Sequence, residues 1–260
     1  MPPIALTIAG SDPSGGAGIQ ADLKTFHQFG VYGEAVVTLL TVQNSTEVSR
    51  VEVMAGELVR AQIEAVLRDM PPAAAKTGAL GSAEVVEAVA GALRGYDFPL
   101  VVDPVTISKH GRALLDERAV EAVRRLLLPR ATLFTPNIPE AETFSGMAIR
   151  SLDDARRAAC RLHEMGARAV LIKGGHLEGD AIDLLSDGAS MREFPAPRIA
   201  TRHTHGVGCT YSAAITASLG RGMALADAVA RAKRYIHEAI RTAPGLGAGS
   251  GPINHHAEVL

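Results

Sequence analysis

The sequence predicts an α/β fold in which helices cover both faces of a mostly parallel central sheet. Short runs of aliphatic and β-branched residues alternate with amphipathic segments over most of the 260 residues. Continuous apolar strands separated by helices are typical of a buried parallel sheet. After residue 173 the pattern changes, because two short strand-like segments flank Asp187-Gly188, a strong hairpin signal. We therefore expect an antiparallel edge on an otherwise parallel sheet.

Six segments have the apolar, β-branched composition of parallel strands. They are Ile4–Ala9, Ala35–Val42, Ala73–Lys76, Leu100–Val102, Thr132–Phe134 and Ala169–Lys173. Five segments between them repeat apolar residues at the spacing of a helix. They are Ile19–Phe29, Glu57–Asp69, Ala83–Leu93, Glu117–Leu127 and Leu152–Met165. Strand and helix thus alternate up to residue 173, as in folds wound around one sheet.

The last third of the chain contains the predicted hairpin and two closing helices. The hairpin strands are Ala181–Ser186 and Ser190–Phe194, and the helices are Thr210–Leu219 and Leu225–Thr242. No low-complexity linker or internal repeat interrupts the chain. We therefore predict a single domain over residues 1–260.

Composition and charge exclude several classes of function. The formal net charge of −2 argues against a nucleic-acid-binding protein, which would need a concentrated basic face. No apolar run approaches the roughly 18 residues of a membrane span, and Met1-Pro2-Pro3 does not resemble a signal peptide. Cys160 and Cys209 are expected to be reduced thiols. We expect a cytoplasmic protein with neither a nucleic-acid nor a membrane partner.

Polar residues or glycines follow each of the six predicted parallel strands. In such sheets the ligand crevice lies beyond the carboxyl ends of the strands. The segments are Gly10-Ser11-Asp12, Gln43-Asn44, Lys76-Thr77-Gly78, Asp103-Pro104, Pro136-Asn137 and Lys173-Gly174-Gly175. Any one of them could be a cap or a turn, but together they predict one shared cleft.

The first glycine-rich loop follows a strand and opens a helix. Within it, residues 16–21 match the dinucleotide pattern G-x-G-x-x-A loosely. That pattern requires an acid at the end of the next strand, whereas the chain has Gln43-Asn44 there, so a dinucleotide site is disfavoured. A plain glycine turn is a second interpretation. We favour a substrate-holding loop, with Asp22 on the following helix facing a small polar molecule.

A second glycine turn, from Gly206 to Cys209, runs directly into a helix. The chain has no Walker loop, so a phosphate needs another holder, and a helix N-terminus preceded by glycines can supply one. The same residues are compatible with a tight turn and a buried cysteine. The flanking His203, Thr204 and His205 favour the functional interpretation, but the residues alone leave both open.

Two further positions carry groups that suit a cation. Asn137 and Glu140 stand three apart at a strand-to-helix junction, where they could order Mg²⁺ through its waters. A capping box formed by the same two residues is the alternative. Asp103 ends a buried strand, where a carboxylate needs a cation or a donor, although an Asp before a proline also begins turns.

Taken in order, these segments resemble the ribokinase-like superfamily, and within it the hydroxymethylpyrimidine and phosphomethylpyrimidine kinases of thiamine biosynthesis. The resemblance spans nearly the full chain. It is carried by residues 9–12, 15–24, 43–44, 76–78, 102–105, 135–137, 140–142, 173–176, 205–206 and 208–210. It implies a three-layer αβα sandwich and ATP-dependent phosphorylation of 4-amino-5-hydroxymethyl-2-methylpyrimidine and then of its monophosphate. Mg²⁺ is implied as a cofactor, a monovalent cation is a further candidate, and we expect a homodimer.

The resemblance also assigns roles to single residues. The catalytic turn would be Gly206, Val207, Gly208 and Cys209, with Cys209 as the base. We expect the pKa of this thiol to be lowered, because it lies at a helix N-terminus. The substrate would contact Gly10, Asp12, Ala17, Asp22, Gln43, Ala79 and Thr106. Gln43 would read the aminopyrimidine edge, since an amide can satisfy adjacent donor and acceptor positions.

For ATP and its phosphates, the resemblance suggests a further set of residues. They are Asp103, Asn137, Glu140, Lys173, Thr204 and Lys233. Of these, the two acids and the asparagine would hold Mg²⁺, mostly through water. Lys173 would contact a phosphate, and the helix of Lys233 would border the nucleotide.

Three positions depart from the family pattern. Val207 replaces a usual threonine, and Ala79 and Thr106 stand where methionines often line the pyrimidine pocket. A roomier or more polar pocket follows, so a pyridoxine or pyridoxal kinase is the nearer alternative. A dinucleotide-dependent oxidoreductase or a non-catalytic nucleotide-binding protein is the more distant one.

Overall fold

The computed structural model describes residues 1–107 and 111–259; residues 108–110 and 260 of the predicted domain lie outside the described residues. One sheet of nine strands runs through these ranges, in the order β3-β2-β1-β4-β5-β6-β7-β8-β9. The strands are β1 Ile4–Ser11, β2 Tyr32–Gln43, β3 Val48–Val53, β4 Ala74–Thr77, β5 Leu100–Val102, β6 Leu133–Phe134, β7 Val170–Ile172, β8 Asp183–Ser186 and β9 Met191–Phe194. This continuous sheet supports the prediction of one domain, which stays a prediction.

Eight α-helices cover the sheet within the same ranges. They are α1 Gly18–Gln28, α2 Gly56–Asp69, α3 Ala83–Ala92, α4 Glu117–Ala122, α5 Ile138–Ser145, α6 Leu152–Glu164, α7 Val207–Gly220 and α8 Leu225–Arg241. Helix α4 continues into a π-helical turn, Val123–Leu127, and a 3-10 turn, Leu128–Arg130. None of the helices in the described part of the chain is long and apolar enough to cross a membrane.

Two apolar clusters pack against the two faces of the sheet. One cluster joins the sheet to helices α2 to α6, and the other joins it to α1, α7 and α8. Successive residues of a strand contribute to opposite clusters, as Val101 does between Leu100 and Val102 in β5, because side chains alternate across a strand. This arrangement confirms the predicted three-layer αβα sandwich.

Both edges of the sheet are antiparallel. Strands β8 and β9 pair antiparallel beside β7, which confirms the predicted hairpin edge. At the opposite edge β3 pairs antiparallel with β2, and the sequence did not indicate this strand. Strand β3 is an edge strand with one neighbouring strand, and it carries Arg50 and Glu52, which form an exposed ion pair. Its composition therefore lacks the continuous apolar character of the buried strands.

Candidate active site

A cavity of about 580 Å³ lies beyond the carboxyl ends of the parallel strands. All but one of the predicted site residues line it. They are Gly10, Asp12, Ala17, Gln43, Ala79, Asp103, Thr106, Asn137, Glu140, Lys173, Thr204, Gly206, Val207, Gly208, Cys209 and Lys233. Five of the six polar strand ends therefore share one cleft as expected, whereas residues 76–78 do not line it, since Lys76 and Thr77 are fully buried. The role of each residue stays a prediction.

The turn that begins α7 can be built only with glycine at its first position. Gly206 has a φ of +82°, and a Cβ there would lie 1.8 Å from the carbonyl oxygen of Gly16. The next residues form the first helical turn, and no side chain caps their N–H groups. A Cβ on Gly208 would lie 3.4 Å from Nζ of Lys173. The Val207 N–H donates to the Thr204 carbonyl at 3.4 Å. The N–H groups of Gly208 and Cys209, a positive helix end and an ammonium group thus share one place, which suits an anion.

Cys209 lies half-buried in the cavity wall. Burial raises the pKa of its thiol to about 11, and the carboxylates of Asp22 and Asp103 add to this effect, while Lys76 opposes it. The prediction of a lowered pKa is therefore wrong. The favourable helix terminus is outweighed by the loss of water around the thiolate and by the two nearby negative charges.

Lys173 and Asp103 form an ion pair that faces the cavity. The Nζ–Oδ1 distance is 2.8 Å, and the two side chains are 13% and 1% exposed. Asp103 also accepts hydrogen bonds from Ser212 Oγ at 3.1 Å and Thr135 Oγ1 at 3.2 Å. Burial opposes ionisation of Asp103, but attraction to Lys173 and Lys76 outweighs it and lowers its pKa. An anionic carboxylate and a cationic ammonium are thus fixed beside the glycine turn.

Asn137 and Glu140 form the capping box that was the alternative to a metal site. Oδ1 of Asn137 accepts from the Glu140 N–H at 2.9 Å, and Oε2 of Glu140 accepts from the Asn137 N–H at 2.8 Å. Burial raises the pKa of Glu140 to about 7; Lys173 opposes this rise, and the nearby Asp103 adds to it. The cap therefore also places a second carboxylate beside the Lys173–Asp103 pair.

This donor set fits Mg²⁺. Two carboxyl groups share one lysine, so above about pH 7, where Glu140 is ionised, they carry an excess of negative charge, and their oxygens are the ligands that Mg²⁺ prefers. Among the described residues no three His, Cys, Asp or Glu side chains are grouped as a complete metal site. A bound Mg²⁺ would thus rely mainly on water and phosphate oxygens, as this ion usually does.

Asp22 is the one predicted site residue that does not line the cavity. Its side chain is fully buried, with Oδ1 2.8 Å from Nζ of Lys76 and Oδ2 accepting from Thr7 Oγ1 at 2.6 Å. Lys76 also donates to the Cys209 carbonyl at 3.3 Å. This geometry contradicts the prediction that Asp22 faces the substrate. Through Lys76, which donates to the Cys209 carbonyl, Asp22 helps to hold the start of α7.

Asp12 reaches the cavity, but its carboxylate serves its own loop. It accepts from the N–H groups of Ser14, Gly16 and Ala17 at 2.8, 3.2 and 2.8 Å. Nε2 of His205 lies 2.8 Å from Oδ2 of Asp12. Burial alone would raise the pKa of Asp12, but the bonds from His205 and Ser14 lower it to about 2. The sequence had placed His205 only in the flank of the turn, and this pairing over 193 positions has no local signal.

The end of the cavity near Gln43 is lined largely by apolar side chains. Gln43 is half-buried at the end of β2, and Thr106 is almost fully buried. Leu39 and Leu114 contribute apolar surface to the same cavity. A small flat ring with a polar edge suits such a lining.

At the other end of the cavity, Lys233 is already engaged. Its Nζ donates to Oδ2 of Asp183 at 2.7 Å and to the carbonyl of Ala181 at 2.8 Å. Sequence reasoning missed several residues around it that also line the cavity. They are His176, Asp183, Arg198, Ile236, His237 and Ile240. Only His176 belongs to a segment that carries the family resemblance, residues 173–176; the fold brings the others to the cavity from β8, helix α8 and the chain after β9.

Comparisons with known proteins agree on one family. A family model described as phosphomethylpyrimidine kinase matches residues 12–254. A hydroxymethylpyrimidine/phosphomethylpyrimidine kinase of Streptomyces coelicolor is 50% identical over 254 residues, which cover 98% of this chain and 94% of that protein.

Solved structures agree on the fold. A phosphomethylpyrimidine kinase from Clostridium difficile superposes with a TM-score of 0.81 at 44% identity, covering 91% of this chain and 99% of that one. An ADP complex of Bacillus subtilis pyridoxal kinase gives a TM-score of 0.90 at 38% identity, covering 99% and 98%. The fold is that of the ribokinase-like kinases, and the chain belongs to the phosphomethylpyrimidine kinase family.

Proposed function

We propose that this protein transfers the γ-phosphoryl group of ATP to 4-amino-5-hydroxymethyl-2-methylpyrimidine and then to its monophosphate, giving the diphosphate used to make thiamine diphosphate. One observation carries the proposal. A single cavity holds a glycine-built helix N-terminus, a lysine and two carboxylates at its centre, and an apolar pocket with an amide at one end. The name of the relative from Streptomyces coelicolor describes both phosphorylations.

In the proposed transfer, the hydroxymethyl oxygen bonds to the γ-phosphorus as the bond from phosphorus to the ADP oxygen breaks. The transition state is loose, so positioning and charge stabilisation matter more than a strong base. The amides of Gly208 and Cys209 would stabilise the charge on the moving group, together with Lys173. Mg²⁺, held by Asp103, Asn137 and Glu140 through water, would neutralise phosphate charge when bound.

The hydroxyl proton leaves late in such a transfer, and the family resemblance implies Cys209 as its acceptor. With a pKa of about 11 in the unliganded protein, roughly one thiol in ten thousand is ionised near pH 7. A thiolate formed beforehand therefore contributes little. Because the thiol already carries its proton, Cys209 fits better as a group that orients the attacking hydroxyl, whose proton passes to an oxygen of the transferred phosphoryl group once the bond to phosphorus has formed.

Pyridoxal or pyridoxine is a second candidate substrate. The ADP complex of Bacillus subtilis pyridoxal kinase shares the fold over almost the whole chain. Ala79 and Thr106 leave more space in the cavity wall than larger side chains would. A pyridine ring with a hydroxymethyl group has a shape close to that of the pyrimidine, so shape alone does not separate the two.

Side-by-side kinetics with Mg-ATP would test the proposal. We expect a higher kcat/KM for the pyrimidine and its monophosphate, and Gln43→Met should raise KM for the pyrimidine while leaving KM for ATP unchanged. A preference of more than about a hundredfold for the pyridine would overturn the assignment.

Thermal shifts would address the distant alternative, because a ligand that binds only the folded state raises the Tm. Stabilisation by NAD but not by Mg-ATP would favour the oxidoreductase.

The homodimer, the monovalent cation and the cytoplasmic location stay predictions. Size-exclusion chromatography with light scattering would measure the oligomeric state. Turnover with K⁺ replaced by a bulky organic cation would measure the cation requirement.

A further inference from the structure

His205 contacts both glycine turns of the active site from inside the protein. Its side chain is 5% exposed, and its Nε2 lies 2.8 Å from Oδ2 of Asp12, which orders the first glycine loop. A Cβ on Gly16 would lie 2.5 Å from Cδ2 of His205, so the ring packs directly against that loop. The next residue is Gly206, the first of the anion-binding turn. His205 is therefore the covalent neighbour of one turn and the hydrogen-bonding partner of the other.

The C-terminal segment 246–252, which we call the strap, closes over this contact. The His205 N–H donates to the carbonyl of Gly251 at 3.1 Å, and His205 pairs with Pro252 in a parallel bridge. The strap also reaches the turn between β2 and β3, where the Gly249 N–H donates to Ser45 Oγ at 3.2 Å. Ser45 lies two residues beyond Gln43. The strap thus connects His205 to the turn between β2 and β3, which directly follows Gln43.

The strap must contain glycine to approach so closely. A Cβ on Gly249 would lie 2.1 Å from the carbonyl oxygen of Ser45, and one on Gly251 would lie 2.0 Å from that of Leu246. Backbone therefore packs on backbone at both contacts, with no room for adjustment. Such packing fixes the position of His205 more tightly than side-chain contacts alone could.

Stability is a weak reason for burying this histidine. Buried polar pairs seldom add stability relative to well-packed apolar residues of similar shape. Here Nδ1 of His205 is buried with no hydrogen-bond partner among the described residues, and an unsatisfied buried polar atom is itself unfavourable. The geometric consequence of the pair is clearer, because it sets the separation of two turns that are 193 positions apart at Asp12 and His205.

We propose that His205 is a positioning residue for phosphoryl transfer. Through its contact with Asp12, it holds the first glycine loop at a fixed distance from the anion-binding turn that begins at Gly206. The proposal rests on the proposed kinase function of the cavity. The two loops bring the attacking oxygen and the phosphoryl group together, and a misplacement of about 1 Å can slow a reaction roughly a hundredfold. Loss of the pair should therefore lower kcat more than it weakens the binding of either substrate.

Steady-state kinetics of His205→Leu and His205→Gln would test this proposal. We expect His205→Leu to lower kcat at least tenfold, with KM for ATP within about threefold of the wild type. His205→Gln should recover most of kcat, because the glutamine amide can donate to Asp12. If His205→Leu does not fold, His205→Asn replaces it, since this shorter amide cannot reach Asp12. Asp12→Asn combined with the leucine variant should lose no more than the larger single effect, because both changes break one contact.

His163 provides the matched control. It also bridges two segments, with Nδ1 2.7 Å from the Ala167 carbonyl and Nε2 2.8 Å from Ser186 Oγ, but it does not line the cavity. His163→Leu should lower the Tm and leave kcat unchanged.

Three results would overturn the positioning role of His205. They are a kcat for His205→Leu within twofold of the wild type, a His205→Gln variant as slow as His205→Leu, and independent, multiplying effects of the Asp12 and His205 changes. A wild type that does not phosphorylate the pyrimidine would instead refute the proposed function. The same variants would then be measured on the acceptor that the wild type accepts.

Discussion

Two lysine–aspartate pairs lie close to the first turn of α7, and they differ most clearly in their exposure to the cavity. Lys76–Asp22 and Lys173–Asp103 have the same Nζ–Oδ1 distance of 2.8 Å. Both side chains of the first pair are 0% exposed, whereas Lys173 is 13% exposed and faces the cavity. The same two side-chain types are thus sealed inside the protein in one case and open to a ligand in the other, and the pKa of Asp22 is raised by burial whereas that of Asp103 is lowered by its lysines.

This difference in exposure decides which pair can contact a ligand and which pair can only support the start of α7. The sealed pair touches only Thr7 and the Cys209 carbonyl among its hydrogen-bond partners in the described residues, so it can hold the helix start but cannot meet a phosphate. The open pair lies beside Gly208 and Glu140. Both pairs act on Cys209, because Lys76 favours its thiolate while both aspartates oppose it. Exposure, more than residue type, should therefore decide what each pair contributes.

The largest effect should come from neutralising the open pair. Lys173→Met with Asp103→Asn removes both charges, so no lone charge is left buried and the protein should fold. We expect kcat to fall about a thousandfold, the loss typical of removing a strong transition-state contact. Steady-state kinetics and a thermal melt of the same sample would measure both quantities. The matched control is Lys76→Met with Asp22→Asn, which should lower kcat less than about tenfold. Equal losses from the two double variants would break the comparison.

The sealed pair should instead reveal itself in stability. Lys76→Met alone leaves Asp22 buried without its cation, and breaking a buried pair in this way costs about 3 kcal/mol or more. Chemical denaturation would measure the loss of unfolding free energy. The double variant Lys76→Met with Asp22→Asn should regain most of it. A single variant as stable as the wild type would mean that Asp22 takes up a proton at little cost.

Cys209 lies between the two pairs, and its removal should have the next largest effect. Cys209→Ala should lower kcat about a hundredfold, because the attacking hydroxyl loses the group that orients it. A loss of less than tenfold, about 1.4 kcal/mol, would mean that Cys209 mainly packs. Labelling with iodoacetamide at pH 8 gives an independent measurement. Because burial raises the pKa of Cys209 to about 11, it should react far more slowly than the exposed Cys160. Equal labelling rates would contradict the raised pKa.

The sequence placed both residues of the open pair in the site, although not as an ion pair, and it placed Asp22 of the sealed pair wrongly, for a physical reason. Asp103 and Lys173 each end a parallel strand, and strand ends converge at one edge of any such sheet. Asp22 follows a glycine loop on α1, a place where a carboxylate can face either a ligand or the core. Only the fold brings Lys76 against Asp22 and thereby turns it inward.

The remaining failures have the same origin in non-local contacts. A helix N-terminus can be read from residues 206–209, but burial and two distant carboxylates reverse its effect on Cys209. His205 needs Asp12, which lies 193 positions away. Strand β3 is amphipathic because it is an edge strand, and its charged residues resemble a loop. The sequence thus predicted the position of the site well and its internal electrostatics poorly.

Glu34 extends the comparison to a buried carboxyl group that has no ion-pair partner within the described residues, and we expect the smallest effect here. It is 6% exposed, and neither carboxylate oxygen has a hydrogen-bond partner there. Burial, with a smaller contribution from Asp69, raises its pKa from 4.5 to about 7. The folded state therefore holds this proton more tightly than the unfolded state. The contribution of Glu34 to stability should fall as pH rises from about 4.5 to 7 and stay low above that range.

The variant Glu34→Gln removes this titration and tests its sign. Its Tm should exceed that of the wild type at pH 8.5 by about 3 °C, which corresponds to roughly 1 kcal/mol for a chain of this size. The difference should shrink toward zero at pH 5, where the wild-type carboxyl is protonated in the folded state. Glu140 also has a pKa of about 7, but it is present in both proteins, so the difference between the two melting curves isolates Glu34. A gap of the same size at both pH values would show that the substitution acts through packing. Glu34 would then no longer show how a buried carboxyl behaves without a lysine, and it could not be compared with the aspartates of the two lysine–aspartate pairs.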